Sequence, residues 1–363
     1  MTITIVGAGV VGCAIACELA SRGARVHVVD GRGPGGGATR ASAGILAPYI
    51  EGHDPTLRRL GVRSLALYDE FLARVRGDSG QAIEYERRGT LQIAMSLDAA
   101  NALKRAARLL GEAHVDRSLL DAGEVRRREP AVTPDAVAGL ELPQQGYVAP
   151  GELTRGLAGA AMRRGATFDV GSATAVEGGD VARLRTAGGV IESDAVIVAA
   201  GSWSSSLDGV RAEPDAVKPI RGQLVQLRLP QRLAERVIWS DECYLVSRQD
   251  GVVLAGATVE DVGFDERATS AGVQQLLRGA TTLIPALGDA AFEEVRVGLR
   301  PMTRDELPAI GASSKMPHVF YATGHYRNGV LLAPLTARLM ADLVLEGRID
   351  DDLACMRPER LGL

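Results

Sequence analysis

The stretch that decides the fold is MTITIVGAGVVGCAIACELASRGARVHVVD, residues 1–30. It opens with the apolar run Ile3–Val6, continues through a helical stretch of small residues, and closes with the apolar run Val26–Val29. Short apolar runs on either side of a helical segment are typical of two parallel strands joined by a crossover helix. The stretch therefore predicts a β-α-β unit at the start of an α/β protein.

Three glycines, Gly7, Gly9 and Gly12, follow the first apolar run, and Asp30 ends the second. Gly7 permits a tight turn from strand to helix, Gly9 lets the backbone approach a pyrophosphate, and Gly12 lets the helix pack against the strand. The helix N-terminus offers unpaired N–H groups to the phosphates, and the Asp30 carboxylate can accept the ribose hydroxyls. A glycine-rich turn without a ligand is the alternative, but the flanking elements favour an adenine dinucleotide, either FAD or NAD.

The composition of this 363-residue chain is that of an ordinary globular protein, with 46% hydrophobic and 24% charged residues. A formal net charge of −4 gives no electrostatic reason to expect a nucleic-acid partner or an anionic membrane. No apolar run approaches the roughly 20 residues that span a bilayer. The chain enters its first strand without a basic leader, so we expect a cytoplasmic protein with no membrane partner.

The cysteines and histidines give no signal for a metal site. The four cysteines match no metal-ligand spacing and are expected to be reduced thiols: Cys13, Cys17, Cys243 and Cys355. The five histidines do not cluster along the chain: His27, His53, His114, His318 and His325.

In the rest of the chain, segments with the apolar spacing of helices alternate with segments that have the apolar pattern of strands. Residues 31–48 form a glycine-rich loop, whose backbone we expect to lie close to a cofactor; a flexible linker is the alternative. Helices are predicted over Pro55–Val75, after Ser96, after Asp121, over Glu152–Arg164, near Thr269–Leu283 and over Val330–Glu346. Strands are predicted over Ala82–Met95, within Thr167–Ala200, in antiparallel runs between 217 and 300, and over His318–Thr323.

This order predicts a discontinuous, Rossmann-like nucleotide-binding domain interleaved with an α+β substrate domain built on a mixed sheet. We expect the nucleotide-binding domain to comprise residues 1–50, 140–216 and 318–363. The substrate domain then comprises residues 51–139 and 217–317.

A second glycine turn lies at residues 322–334, ATGHYRNGVLLAP. Like the first, it is predicted to follow a strand and to lead into a helix. A second helix N-terminus aimed at one ligand suits a large cofactor with a second electron-poor end. In a reduced flavin, negative charge gathers near N1 and O2, where a helix dipole would stabilise it. This second turn therefore favours FAD over NAD.

The chain resembles the FAD-dependent D-amino-acid oxidase superfamily, and within it the glycine oxidases of thiamine biosynthesis. Seven segments spread from end to end carry the resemblance: VGAGVVG, GGGATRASAGILAP, VAAGSW, RGQL, CYLVSR, VGLRP and GHYRNGVLLAP. The resemblance implies non-covalent FAD, since no cysteine lies near the GHYRNG loop. Together with the glycine patterns, it implies these cofactor-binding residues: Gly7, Gly9, Val10, Val11, Gly12, Asp30, Gly31, Ala38, Thr39, Ala43, Gly44, Ile45, Ala173, Ala200, Gly201, His325, Tyr326, Arg327, Asn328, Gly329, Val330 and Leu331.

Five residues are similar to substrate-site positions of that superfamily. Arg300 in VGLRP resembles the residue that clamps the substrate carboxylate, Tyr244 in CYLVSR the phenol that shares it, and Arg327 a second arginine nearby. Val259 matches a position that lines the site. Glu242 stands where a close relative would have histidine, which bears on the size and charge of accepted side chains.

These residue types fit the chemistry independently of the resemblance. A planar guanidinium makes a bidentate pair with a carboxylate, and a phenol adds a second directional donor. Oxidising a C–H bond beside a neutral amine needs proximity to a flavin rather than a positioned acid–base pair.

The sequence therefore predicts an amine oxidase that acts on glycine, sarcosine or a small D-amino acid, with oxygen as second substrate. The products would be a 2-oxo acid, ammonia and hydrogen peroxide. A dehydrogenase that passes electrons to a quinone-type acceptor is the alternative, and a flavin-binding subunit of a larger complex is a third. The sequence is compatible with a homo-oligomer as well as with a monomer.

Overall fold

The computed structural model describes residues 1–51, 54–210 and 216–363. Its helices are α1 (Val10–Ser21), α2 (Pro48–Glu51), α3 (Pro55–Ala66), α4 (Tyr68–Ser79), α5 (Leu97–Glu112), α6 (Ala122–Arg128), α7 (Pro150–Arg163), α8 (Ser270–Leu283) and α9 (Gly329–Glu346). Within the described ranges, none of them is both long and apolar enough to cross a membrane.

Its strands are β1 (Thr2–Val6), β2 (Arg25–Asp30), β3 (Ile45–Leu46), β4 (Tyr85–Glu86), β5 (Thr90–Ala94), β6 (Ser118–Asp121), β7 (Ala138–Leu142), β8 (Gly146–Val148), β9 (Thr167–Val170), β10 (Ala173–Glu177), β11 (Ala182–Thr186), β12 (Gly189–Ser193), β13 (Ala195–Val198), β14 (Lys218–Arg228), β15 (Val237–Trp239), β16 (Tyr244–Ser247), β17 (Val252–Gly256), β18 (Ala291–Met302), β19 (Ala309–Ala312) and β20 (Val319–Thr323).

A six-stranded sheet in the order β19-β20-β13-β1-β2-β9 forms the first layer. Its strands run parallel except β19, which pairs antiparallel with β20. One face packs against α1, α7 and α9, while the other packs against the small antiparallel sheet β10–β12. Because both faces are covered, most side chains of the central strands are apolar and buried, as the runs Ile3–Val6 and Val26–Val29 indicate.

An eight-stranded sheet in the order β18-β14-β17-β16-β15-β5-β7-β6 forms the second layer. Its pairings are antiparallel except that of β15 with β5. Helix α8 covers one face with a buried apolar cluster. The opposite face carries Leu224 and Tyr244, which pack with Ala43 and Tyr147 from the first part of the chain. The α/β architecture with a mixed second sheet is thus confirmed.

The helix expected over Pro55–Val75 is in fact two helices, α3 and α4, which meet at Leu67. The reason lies in α9, where Pro334 has no N–H to donate to the Val330 carbonyl four residues earlier. The Tyr68 hydroxyl donates to that carbonyl at 2.6 Å instead. Ser64, on the other side of the break, donates to the Leu331 carbonyl at 2.7 Å. At the α3–α4 junction, Tyr68 therefore satisfies the carbonyl that the proline frees, and Ser64 adds a second contact with α9.

The single strand expected over Ala82–Met95 is two short strands, β4 and β5. Gly89, with φ +95°, lies between them, and a Cβ there would stand 3.1 Å from the Leu142 carbonyl oxygen. The two strands join different sheets, β4 pairing with β8 and β5 with β7. A local pattern cannot show such a change of partner.

The division into two domains stays a prediction, and the packing favours moving two segments. Strand β19 belongs to the six-stranded sheet, although residues 309–312 fall in the expected substrate domain. Helices α3 and α4 pack on α9 and α7 rather than on the second sheet. Residues 52–53 and 211–215 of the expected domains lie outside the described ranges.

The first glycine turn is set by contact between α1 and β1. A Cβ at Gly12 would stand 1.9 Å from the Gly7 carbonyl oxygen, and a Cβ at Gly7 would stand 2.4 Å from the Ala199 carbonyl oxygen. Gly7 also has φ +107°, a conformation that L side chains rarely adopt. Both glycines are therefore required by packing alone.

We predict that Gly12→Ala lowers the free energy of unfolding by about 1–3 kcal/mol or more, because α1 must move off β1. Gly77→Ala is the matched control, since Gly77 also lies in a helix and a Cβ there would meet nothing within 4 Å. That control should raise the free energy of unfolding by about 0.5–1 kcal/mol. Urea unfolding of the two variants measures both effects; equal changes would contradict the packing argument.

Candidate active site

A cavity of about 670 Å³ lies between the two layers. Its floor is the carboxyl edge of the six-stranded sheet, where β1, β2, β13 and β20 end. Its opposite wall is the face of the eight-stranded sheet that α8 does not cover. Ligands of open α/β sheets bind at this edge, where the strand order changes direction.

The N-terminus of α1 opens into this cavity, and its N-cap residue contributes no capping side chain. Gly9 is the N-cap residue and has no side chain that could accept a hydrogen bond from the first turn. The Val10 N–H donates to Thr39 Oγ1 at 3.0 Å. A Cβ at Gly9 would meet no described protein atom closer than Thr39 Oγ1 at 3.5 Å. Protein packing therefore does not demand this glycine, and the space it leaves suits an anion bound at the helix end.

Asp30 is held in a fixed orientation beside the same helix. One carboxylate oxygen accepts the Ala8 N–H at 2.7 Å, and the other accepts the Arg32 N–H at 2.7 Å. Each oxygen keeps a further lone pair. The carboxylate is thus oriented for ribose hydroxyls at the end of β2, which fits an adenine dinucleotide.

The N-terminus of α9 also opens into the cavity, again with no side-chain cap at Asn328. The turn before it contains Gly324 at φ +75° and Tyr326 at φ +47°. The Tyr326 N–H donates to the Pro301 carbonyl at 2.8 Å, which joins this turn to the end of β18. A second uncapped helix end therefore lies beside the strand that carries Arg300, where it suits the electron-poor end of a flavin.

His325 lies in this turn but is buried, with 3% of its surface exposed. Its Nε2 lies 3.0 Å from Thr336 Oγ1. Burial lowers the pKa of His325 to about 4. The ring is therefore neutral at physiological pH and held by α9, which agrees with a structural part in the turn.

Arg300, half-buried on β18, extends across the neighbouring strand β14. A Cβ at Gly222 would stand 2.4 Å from three atoms of the Arg300 guanidinium. Arg300 Nη1 donates to the Thr258 carbonyl at 3.0 Å and to the Arg221 carbonyl at 3.4 Å. Because Gly222 has no side chain, the Arg300 guanidinium has room to lie against β14 at this position.

Tyr244 on β16 lies over a second strand glycine. A Cβ at Gly256 would stand 2.5 Å from the Tyr244 hydroxyl oxygen, and the two residues are directly paired. The Trp239 ring lies 5.1 Å from that of Tyr244 on the other side. Pairing of Gly256 with Leu224 places Tyr244 on the same face of the sheet as Arg300. Arginine and phenol therefore face one cavity.

Glu242, Val259 and Arg327 line the outer part of the cavity. All three are exposed, Val259 by 52%. The Arg327 guanidinium lies 5.1 Å from the ring centre of Tyr326. These three side chains are acidic, apolar and basic respectively, and the exposed Asp241 beside Glu242 adds a second carboxylate to the lining.

The cavity brings together nearly all the residues that the sequence predicts for it. All five expected substrate residues line it, as do the expected cofactor residues other than Gly12. Gly12 instead packs beneath the turn against Gly7. The binding roles of these residues stay predictions.

Among the lining residues that the sequence did not predict are Arg32, Gly222 and Trp239. Arg32 lies 4.5 Å above the Trp203 ring and pairs with Glu266 at 2.6 Å. Trp203, which follows Gly201 in VAAGSW and was expected to pack near the cofactor, also borders the cavity. Glycine inside a strand indicates close approach of another group, so the glycines of RGQL and VVLAG were an available signal.

Within the described ranges, no group of three or more histidine, cysteine or acidic side chains could hold a metal ion. His53 lies outside those ranges. Burial raises the pKa of the Cys17 thiol to about 11 and that of Cys243 to about 12. These thiols stay protonated and are core groups.

Comparison with known proteins agrees with this geometry. The DAO family, described as FAD dependent oxidoreductase, matches residues 2–343. A bifunctional protein ThiO/ThiG of Nostoc sp. is 36% identical over 96% of this chain and 53% of its own length. The chain thus spans about half the length of that curated relative. A glycine oxidase of Geobacillus kaustophilus is 34% identical over 97% of this chain and 95% of its own. The crystal structure of glycine oxidase from that organism superimposes with a TM-score of 0.93 at 32% identity, covering 98% of this chain and 97% of that one.

We predict that the free energy of unfolding falls as pH drops from 7 to 5, by about 2 kcal/mol through His325 alone. An unfolded histidine binds its proton near pH 6.5, whereas folded His325 binds it only near pH 4. Protonation therefore favours the unfolded chain throughout this window. His325→Gln should remove this part of the pH dependence, while His114→Gln at an exposed position should keep it. Urea unfolding at both pH values measures the difference; parallel curves for His325→Gln and the parent would contradict it.

Proposed function

The chain belongs to the DAO family of FAD-dependent oxidoreductases, and on that premise we propose that it oxidises glycine or another small amino acid. The overall reaction converts amino acid, oxygen and water into 2-oxo acid, ammonia and hydrogen peroxide. The observation that carries this proposal is the placement of Arg300 and Tyr244 on one sheet face, inside the cavity that both helix N-termini enter. FAD bound in this cavity would supply the two-electron acceptor for the Cα–H bond.

Arg300 is the proposed carboxylate clamp. Its Nη1 is engaged by the Thr258 and Arg221 carbonyls, and within the described part of the chain its Nε and Nη2 have no hydrogen-bond partner. That edge presents two parallel N–H groups, which match the two oxygens of a carboxylate. Tyr244 would donate its hydroxyl to the same carboxylate. A small amino acid offers no other strong handle, so these two residues would fix its orientation.

No acid–base residue is assigned to the reaction. His325 is neutral and held by Thr336. The amine must be uncharged when its neighbouring C–H bond breaks, and solvent at the exposed rim can take its proton. Proximity and orientation therefore account for what the protein contributes.

Glu242 at the rim would shape the choice of substrate. A carboxylate near the entrance disfavours acidic side chains and tolerates neutral or cationic ones. We propose that the substrates are small neutral amino acids, with acidic ones excluded.

The four free cysteines, with no disulfide, support a cytoplasmic location.

An anaerobic titration tests the proposed function. Purified protein should be yellow and release intact FAD on acid denaturation. Mixing with glycine, sarcosine and small D-amino acids should bleach the flavin, and admitting air should restore the colour with formation of peroxide. Bleaching without recovery in air would identify a dehydrogenase. Bound FAD that no amino acid reduces would leave only the flavin-binding-subunit hypothesis.

We predict that Arg300→Ala keeps its flavin but raises the substrate concentration for half-maximal flavin reduction by about two orders of magnitude or more. Truncating one partner of a buried charge pair loses both the hydrogen bonds and the orientation. Arg300→Lys should fall between, because an ammonium keeps the charge without the fork. Anaerobic reduction against glycine concentration measures all three proteins. Unchanged saturation in Arg300→Ala would move the clamp to Arg327.

A further inference from the structure

We propose that Glu260 and Arg221 are positioning residues for the reaction: together they hold the main chain of Thr258, and through it the Arg300 guanidinium. This inference rests on the proposed function, because it concerns how the substrate carboxylate is bound. Neither Glu260 nor Arg221 lines the cavity. Their contribution would be to decide which edge of Arg300 faces the substrate.

The two carbonyls that accept from Arg300 belong to one small ladder. Residues 258–260 run beside β14, with the Arg221 N–H donating to the Glu260 carbonyl at 2.8 Å and the Glu260 N–H to the Arg221 carbonyl at 3.0 Å. The Thr258 N–H donates to the Gln223 carbonyl at 3.2 Å. Any slip of this short segment would therefore move the Thr258 carbonyl that Arg300 Nη1 contacts.

Side chains lock this ladder in register. Glu260 Oε2 pairs with Arg221 Nη2 at 2.5 Å. Glu260 Oε1 accepts from Gln223 Nε2 at 2.8 Å and from Thr258 Oγ1 at 2.6 Å. Thr258 Oγ1 in turn accepts the Gln223 N–H at 2.9 Å. A single carboxylate thus joins Arg221, Gln223 and Thr258.

Arg221 makes this a buried electrostatic anchor. Its side chain is 4% exposed and also pairs with Asp265 at 2.9 Å. Removing one partner of a buried ion pair leaves the other charge uncompensated, so the arrangement resists displacement. Burial opposes ionisation of Glu260, but the hydrogen bonds from Arg221, Gln223 and Thr258 outweigh it and lower its pKa to about 2. Glu260 is therefore anionic at every pH at which the enzyme would be assayed.

The consequence falls on Arg300. Gly222 provides the space beneath the guanidinium, but an open space alone does not fix its rotation. The Thr258 and Arg221 carbonyls occupy Nη1, which leaves the Nε and Nη2 edge for the carboxylate of a substrate. Glu260 and Arg221 would therefore set the bidentate geometry without touching the substrate.

Glu260→Gln tests the inference. An amide must present its NH₂ either to Arg221 or to the Thr258 and Gln223 donors, so one side of the lock is lost. We expect the glycine concentration for half-maximal anaerobic flavin reduction to rise about five-fold or more. Thr258→Val, which removes the hydroxyl that Glu260 accepts from, should shift it in the same direction. Asp261→Asn is the matched control, since Asp261 directly follows this segment and pairs with Lys218 instead; it should leave the value unchanged.

A double-mutant cycle separates positioning from general destabilisation. If Glu260 acts through Arg300, adding Glu260→Gln to Arg300→Ala should change the half-maximal concentration by less than about two-fold. The same fold-change in both backgrounds would overturn the inference, as would unchanged saturation in both Glu260→Gln and Thr258→Val. If the parent protein holds FAD but is reduced by no amino acid, the proposed function itself fails. If instead the parent is reduced normally and the variants behave like the parent, only the positioning inference fails.

Discussion

The close approach of α1 to β1 is the constraint on which the rest of the structure depends. Gly7 and Gly12 let the helix begin directly at the end of the strand, where a Cβ on either would strike a carbonyl oxygen. That contact aims the N-terminus of α1, where Gly9 has no capping side chain, into the space above the sheet. Asp30, oriented by the Ala8 N–H in the same turn, then stands beside it. The cofactor end of the cavity follows from one packed turn.

At the substrate end of the cavity, glycines within strands likewise leave room for other groups because they have no side chains. Gly222 and Gly256 leave room on one face of the second layer for the Arg300 guanidinium and the Tyr244 ring. The turn before α9 contacts the end of β18 through Tyr326 and Pro301. A cofactor held by two helix ends would therefore meet a carboxylate-binding pair across the cavity. Neither layer alone provides both halves of the site.

Much of this could be predicted from sequence because the signals are local. The glycines at Gly7, Gly9 and Gly12 and the turn before α9 are read within a few residues, and the fold class follows from them. The break at Leu67 could not be predicted, because it depends on Pro334 in a helix far along the chain. The network around Glu260 depends likewise on strand register, which local patterning does not reveal.

A crystal structure of the FAD-loaded protein with a small carboxylate that cannot be oxidised, such as acetate, would test the central claim most directly. The account predicts the pyrophosphate at the N-terminus of α1, the ribose on Asp30, and the carboxylate bound side-on by Arg300 with Tyr244 as second donor. A carboxylate held by Arg327 or Arg32 instead, with Arg300 turned away from it, would contradict the account.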